Sequence, residues 1–452
     1  MKETCKYIFL LLVFLCGIKY ASGLSEDNFQ FENIRFKHFS VEEGLSQSTV
    51  NAILQDHNGF MWFGTQKGGL CKFDGYEFTV FKTKLLDTTS IGSNEVLSLF
   101  QDNDKTIWVG TSFKGLYRYD YHREVFCNIN QTILGANEIG NFVFSICRGA
   151  SGKLWILSNE GIGFFDVDRK KFNALRLGLK NIKRIVPAPE GGIFLMTPKS
   201  VFQLTEHSLL ERLFIIKSGN QDWSKTPEFT SINTGNNGLL YVGMGNQLIC
   251  KQTGDNNKAD IIDTLTVFNE NISIRDVFYD SSENLWVGTM EHGLFLLPHG
   301  HNKFYRFLNS RNNLHNLNHN TIIKIFQDKE QNIWFGTWGG GVNFLSKFNN
   351  NFYNIHHVPG NDKGLSANLV SCFAENKDGI WIGTEQGGLN LYNPLTNQYK
   401  HFYYDPSDQN SLSFNNIKDL VFDNDGKLWI ATWGGGINCY NPETNKMEHY
   451  MA

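Results

Sequence analysis

A short string, tryptophan, an apolar residue, glycine and threonine, recurs along this chain and limits what the chain can become. It reads Trp62-Phe63-Gly64-Thr65, Trp108-Val109-Gly110-Thr111, Trp286-Val287-Gly288-Thr289, Trp334-Phe335-Gly336-Thr337, Trp381-Ile382-Gly383-Thr384 and, altered, Trp429-Ile430-Ala431-Thr432. Three weaker copies fill the gap: Trp155-Ile156-Leu157-Ser158, a degenerate one around Phe194, and Tyr241-Val242-Gly243. Nine units result, at successive spacings of 46, 47, 39, 47, 45, 48, 47 and 48 residues, and the short step falls at the copy that lacks its tryptophan. A period of this length marks stacked supersecondary units, each of which needs its neighbours to bury its faces.

Other residues keep step with the tryptophan. Six positions before it stands an acid in six copies, Asp56, Asp102, Asp280, Asp328, Glu375 and Asp423, usually with Gly or Asn close behind, which is hairpin-turn chemistry. Twelve positions before it an apolar residue opens a strand, as at Val50, Val96, Val143, Ile274, Ile322, Leu369 and Ile417. After it, glycine leads into a third strand such as Gly69 to Phe73, and a fourth follows that is rich in Phe and Tyr, as in residues 78–81 and 304–307. Four antiparallel strands per repeat, with no long 3.6-residue periodicity, predict an all-β chain of β-propeller blades with the tryptophans wedged between them.

Nine blades exceed the four to eight usual for one ring. The segment Phe36-Lys37-His38-Phe39 reads as a fourth strand with no blade in front of it, suited to pair with the blade of Trp334 and leave no open edge. The expected fold is therefore a seven-bladed β-propeller over residues 24–350, followed at 351–452 by the first two blades of an incomplete second propeller.

Composition agrees and narrows the function. The chain has 452 residues with 37 Phe, 16 Tyr and 10 Trp, and 43 Gly against 9 Pro, which suits many short strands and tight turns. A net charge of −4 excludes a polybasic nucleic-acid binder. Residues 1–23 read as a secretory signal: Lys2 and Lys6 precede an apolar core from Ile8 to Cys16, and Ala21-Ser22-Gly23 offers small residues for cleavage. That places the product in the periplasm, with no membrane span in the mature chain. Six cysteines remain after the signal, Cys71, Cys127, Cys147, Cys250, Cys372 and Cys439. They contain no CxxC pair, so buried free thiols are expected rather than zinc.

The motif, apolar-Trp-apolar-Gly-Thr followed by Gly-Gly-apolar, resembles the regulator-propeller repeats in the periplasmic sensor region of hybrid two-component system histidine kinases. The opening Phe39-Ser-Val-Glu-Glu-Gly44-Leu45-Ser46 resembles the start of that region, and the likeness extends over about residues 31–450. The resemblance implies a sensing role toward polysaccharide breakdown products. It also implies that further propeller blades, a β-sandwich, a membrane helix and a kinase accompany such a region. The present chain then reads as a truncated or split sensor, whose partners would be an oligosaccharide or other small periplasmic ligand, the remaining sensor and kinase part, or a second copy of itself.

No catalytic signature is present, neither HExxH, GxSxG nor a Walker loop, and no cofactor is expected. His356-His357 and His299-Gly-His301 lack a third metal ligand at fixed spacing. Strand parity puts the second-to-third turns and the blade-to-blade connections on one face, where the connections are longest and function is expected. Residues just after the Gly-Thr step sit there: Lys67, Phe113, Lys114, Glu160, His292, Trp338, Glu385 and Trp433. Trp338 and Trp433 suit stacking on a sugar ring, or else cap their own blades; Lys67 and Lys114 suit a carboxylate or sulfate, or else are solvated. Three readings stay open: a ligand-binding module, a lyase or hydrolase using His292 and Glu160, and a protein-docking scaffold.

Overall fold

The computed structural model describes residues 34–451 apart from 131–137, 150–151, 167–170, 190, 206–208, 216–227, 236, 253–262, 269–271, 311–314, 349–354, 356, 358–363, 395 and 397. The signal segment 1–23 and His356 lie outside the described residues. The strands form nine four-stranded antiparallel sheets, and no helix occurs among the described residues. The chain divides into two compact units, residues 1–350 and 351–452.

In the first unit seven sheets follow one another as blades. Blade one is Val50–Gln55, Met61–Thr65, Leu70–Phe73 and Phe78–Phe81. Its first strand touches the first strands of both blade two (Val96–Gln101) and blade seven (Ile322–Gln327), and the others touch in chain order, so the first strands encircle an axis in a closed ring. Blade seven supplies only three strands of its own, and its fourth is Lys37–Phe39, in register Lys37 to Phe344, His38 to Asn343 and Phe39 to Val342. The expected closing strand is thus in place. Phe39 stacks on Trp334 at 5.6 Å between ring centres, tying the start of the described chain to the last blade of the ring.

Each letter of the motif has a physical reason. The tryptophan sits on the second strand and packs against the next blade: Trp62 joins Val96, Val109 and Tyr117 of blade two, and Trp334 joins Val50, Ile53 and Phe63 of blade one. The glycine is there because the next blade's first strand passes over it; a Cβ on Gly64 would lie 2.6 Å from Val96 Cγ1, and one on Gly336 2.8 Å from the Val50 carbonyl oxygen. The threonine hydroxyl donates to the carbonyl four residues on, Thr65 to Gly69 at 2.7 Å and Thr337 to Gly341 at 2.8 Å, which closes the second-to-third turn.

The acid before the tryptophan does more than shape a hairpin. One oxygen of Asp56 accepts the turn amides of Asn58 and Phe60 at 2.9 and 3.0 Å, while the other accepts the Trp62 indole N–H at 2.6 Å. Asp280, Asp328 and Asp423 accept from Trp286, Trp334 and Trp429, each at 2.8 Å. An indole N–H buried without an acceptor costs on the order of 1–3 kcal/mol, so turn and wedge are specified together. Blade eight corrects the expected spacing. Its first hairpin is one residue shorter, pairing Asn376 with Gly379, so Asn376 rather than Glu375 accepts from Trp381, and its first strand opens at Val370 rather than Leu369.

All six described cysteines are free, with Cys71, Cys147 and Cys439 buried. Burial pushes the Cys147 thiol far above its ordinary value, as an inert core position requires.

Candidate functional site

The second-to-third turns and the blade connections meet on one face of the ring, as strand parity requires. Gly69 N donates to Asn94 O, Gly115 N to Asn141 O and Gly293 N to Asn320 O, each at 2.8 Å, so the turns of blades one, two and six lean on the connection that follows their blade. The connections are latched rather than loose: the Asn94 side-chain oxygen accepts from Thr83 N at 2.8 Å, and Asn320 accepts from Asn309 N at 2.6 Å. The two-blade unit repeats the device, with Asn368 accepting from His357 N at 2.7 Å and Asn415 from Tyr404 N at 2.6 Å.

A second regularity of this face escaped the sequence reading. In blades one, two, three, five, six and seven the first strand carries a β-bulge at its second or, in blade six, third residue: Asn51, Leu97, Phe144, Thr230, Arg275 and Ile323. Bulges at a sheet edge aim a side chain away from the ladder, and here they do so where the strands begin. Blade four alone lacks one. Its first strand starts at Arg184, in the register of Ala52, and Leu157 of blade three is buried where strong copies of the motif hold glycine. The short spacing comes from the connection ahead of that strand, where Leu175 and Arg184 are nine residues apart against seventeen for Phe81 and Ser98 at the same registers.

The sequence-selected residues spread over the rim. Lys67 and Lys114 are exposed on blades one and two. His292 is half-buried on blade six, its Nδ1 2.8 Å from Met290 O and its carbonyl accepting Arg306 Nε at 2.9 Å. Trp338 is 52% exposed on blade seven and bridges to Thr49 of blade one through the backbone. In the two-blade unit Trp433 is 68% exposed with Lys418 Nζ 5.5 Å above its ring, and Lys418 is paired to Glu385 at 2.7 Å. Glu160 and His292 stand on blades three and six, so the pair required for acid–base chemistry is not assembled.

Two of the selected residues do come together with others. Phe113 is 63% exposed and holds the left-handed φ of 72°, a costly conformation for a bulky side chain. Its ring lies 4.5 Å from Phe142, which stacks on the bulge residue Phe144 at 6.3 Å. This aromatic shelf borders a cleft of about 620 Å³ between blades three and four, lined by Phe144, Leu157, Asn159, Glu160, Asn181 and Lys183 among others. Asn159 is anchored, its Oδ1 accepting Phe142 N and its Nδ2 donating to Glu160 Oε1, both at 2.9 Å. A smaller hollow of about 340 Å³, lined by Glu291, Asn309, Asn318, His319, Asn320 and Thr321, lies between blades six and seven. Sequence reasoning found Phe113 and Glu160 by turn position and missed Phe142 and Phe144, whose only sequence signal is three aromatics among the four residues 113 and 142–144, contributed by a turn and a blade connection of one face.

Towards the axis the first strands hold a buried ion cluster. Asp276 on blade six accepts Arg184 Nη1 of blade four at 2.7 Å and the Ile325 amide at 2.9 Å, with Lys324 Nζ of blade seven at 3.4 Å. Burial alone would raise the Asp276 carboxyl, but the charges of Arg184 and Lys324 and the Ile325 amide outweigh it and hold it below the ordinary carboxylate range. Burial, helped by the Arg184 charge, lowers Lys324 against the pull of Asp276. No group of three or more His, Cys, Asp or Glu that suits a metal ion occurs among the described residues.

The closed ring, its motif and its turn chemistry define a β-propeller. The family model described as two component regulator propeller matches residues 44–67, 90–113, 316–339, 364–386 and 411–434, each running from a blade connection into the turn after the Gly-Thr step. The chain thus carries two-component regulator propeller repeats. It is similar to the extracellular domain of a protein described as a hybrid two component system from B. thetaiotaomicron, with 26% identity, a TM-score of 0.71, and coverage of 93% of this chain and 55% of that one. A stretch of 62 residues, 14% of this chain and 4% of its relative, is 47% identical to histidine kinase P4 from Formosa agariphila. Virginiamycin B lyase from Staphylococcus aureus shares the fold at 14% identity and a TM-score of 0.53 over 70% of this chain and 99% of that one. The chain spans about half the length of the B. thetaiotaomicron domain it matches.

Proposed function

We propose that the closed ring is the ligand-receiving part of a periplasmic sensor of the hybrid two-component type, and that it takes an oligosaccharide on the shelf formed by Phe113, Phe142 and Phe144. The exposed, left-handed Phe113 packed on Phe142 beside an open cleft carries this reading. Flat apolar ring faces match the C–H face of a sugar, and the Asn159, Glu160, Asn181 and Lys183 side chains beside them offer donors and acceptors for its hydroxyls. The latched connections hold the shelf in place before ligand arrives, which lowers the ordering cost of binding.

Binding produces a signal only when the ligand favours one arrangement of the whole sensor over another. In this reading the ring docks, with its sugar, against the remaining sensor and kinase part or a second copy. Titration of the exported chain with oligosaccharide libraries by calorimetry tests the proposal. One class of oligosaccharide should bind, with affinity lowered about tenfold or more in Phe113→Ala, in keeping with loss of one stacking face. Silence across the libraries from folded protein, or unchanged binding in Phe113→Ala, would overturn it.

A further inference from the structure

The seven first strands that encircle the axis contain four basic residues, Arg148, Arg184, Arg275 and Lys324, and one acid, Asp276. Arg148 is neutralised by Asp102 at 2.5 Å. Arg184 and Lys324 therefore share one carboxylate, and Arg275 has none, inside a protein whose net charge is −4. Ala52, Ser98, Ser145, Arg184, Ser231, Asp276 and Lys324 occupy one register position, each facing its blade's second strand one residue beyond the tryptophan's neighbour. Arg184 reaches from blade four to Asp276 on blade six and so spans blade five, within the interior of the ring.

The cluster has donors to spare. Among the described residues Arg184 commits one N–H, to Asp276, and Lys324 makes one long contact with the same carboxylate. An arginine carries five N–H donors and an ammonium three, so most of this capacity is unused. Both side chains keep access to solvent, at 24% and 25% exposure, whereas Asp276 has none. Arg275, exposed at the bulge that opens the blade-six strand, donates only to the Met290 thioether, a weak acceptor. On blade five, which Arg184 spans, the fully buried Ser231 hydroxyl has no partner, while Ser98 at the same register donates to Val143 O at 3.1 Å. Unmatched cations and an orphan hydroxyl are costly to enclose without an acceptor to satisfy them.

We infer that the axis of the ring is a binding site for an oxyanion, a carboxylate or sulfate group, held by Arg184 and Lys324 with Arg275 at the entrance. The locus is separate from the aromatic shelf and does not depend on it. Arginine presents a fork that matches a two-oxygen anion, and charge-assisted bonds at a partly enclosed site exceed those at an open surface. Asp276 holds the two cations in place and, by the same contact, competes with the ligand for them.

Calorimetry of the full chain at low ionic strength with sodium sulfate, sodium glucuronate and glucose tests the site. Sulfate and glucuronate should compete for one site of roughly equal affinity, and glucose should not enter it. Arg184→Gln and Lys324→Gln should each weaken both anions about tenfold, and Arg275→Gln about threefold. Asp276→Asn, which frees the cations, should strengthen them, a direction that a purely structural ion cluster would not give. Absence of sulfate binding, glucuronate binding without sulfate, or weakened binding in Asp276→Asn would overturn the inference. Should Arg184→Gln fail to fold, the exposed Arg275→Gln and the part-exposed Lys324→Gln decide it, and unchanged affinity in both counts against the site.

Discussion

Ile53 in the ring and Phe373 in the two-blade unit hold the same place in their first strands, opposite the residue that follows the motif tryptophan. Ile53 is 4% exposed and Phe373 is 65% exposed. Trp62 is fully buried and its counterpart Trp429 is half-buried, and Val421 beside Trp429 is 60% exposed. Apart from the shorter first hairpin of blade eight, the backbone pairing of the two regions is the same, down to the bulge at the second residue of the first strand. Local structure therefore comes from the repeat itself, while burial comes from the neighbouring blade, as expected of an array whose stability is shared between units and their interfaces. Even the sequence varies in step. Ala431 replaces the motif glycine in the last blade, whereas a Cβ on Gly383 would lie 2.7 Å from Ile417 Cγ2 of the following blade.

The contrast can be broken most directly at the wedges. Phe39→Ala removes the aromatic that closes blade seven onto Trp334 and should cost the ring about 3–5 kcal/mol. Phe373→Ala should stay within about 0.5 kcal/mol. Denaturant unfolding followed by tryptophan fluorescence checks both, and an equal loss at the two sites would mean that the face of Phe373 is covered. The carboxylates come next. Asp56 accepts from Trp62, from Tyr121 at 2.7 Å and from two amides, so Asp56→Ala should cost about 3 kcal/mol, against a clearly smaller loss for Asp423→Ala at the half-buried Trp429.

A pH series separates the regions by a third route. Asp276 and Asp423 both have carboxyl pKa values held below the ordinary range, Asp423 chiefly by the Trp429 indole and the Lys427 amide. A depressed folded-state value contributes stability that is present above the unfolded value near 4 and is lost as pH falls through the folded one. The ring should lose stability in that acid window, and Asp276→Asn should flatten the loss there; Asp423→Asn should change it less, because its site is open to water. Acid denaturation curves that coincide for parent and Asp276→Asn would contradict this. The smallest expected effect lies at Arg148, which holds Asp102 and leaves the buried Trp108 indole without an acceptor. Arg148→Gln releases Asp102 to take that indole and should move stability by only about 0.5 kcal/mol.

Much of the fold was legible in the sequence because spacing carries it. The tryptophan period set nine sheets, and the unpartnered Phe36 to Phe39 segment indicated how the ring closes. The indole bond to Asp56 could have been read from the constant six-residue interval, yet hairpin chemistry already explained an acid there. Blade eight departs because a shorter hairpin shifts the interval, a difference that identity at Glu375 conceals. The site was less legible. Phe113 and Glu160 follow from turn position, but Phe142 and Phe144 join them only through the meeting of two blades. Arg184, Asp276 and Lys324 lie 92 and 48 residues apart and share a place only because the ring equates register across blades.

Native-state amide hydrogen exchange on the full chain tests the closed ring most directly. The amides of Lys37 to Phe39 that pair with Val342 to Phe344 should be protected as strongly as the central strands of blade one. Rapid exchange at Lys37 to Phe39, with the other blades still protected, would show an open ring and contradict the account.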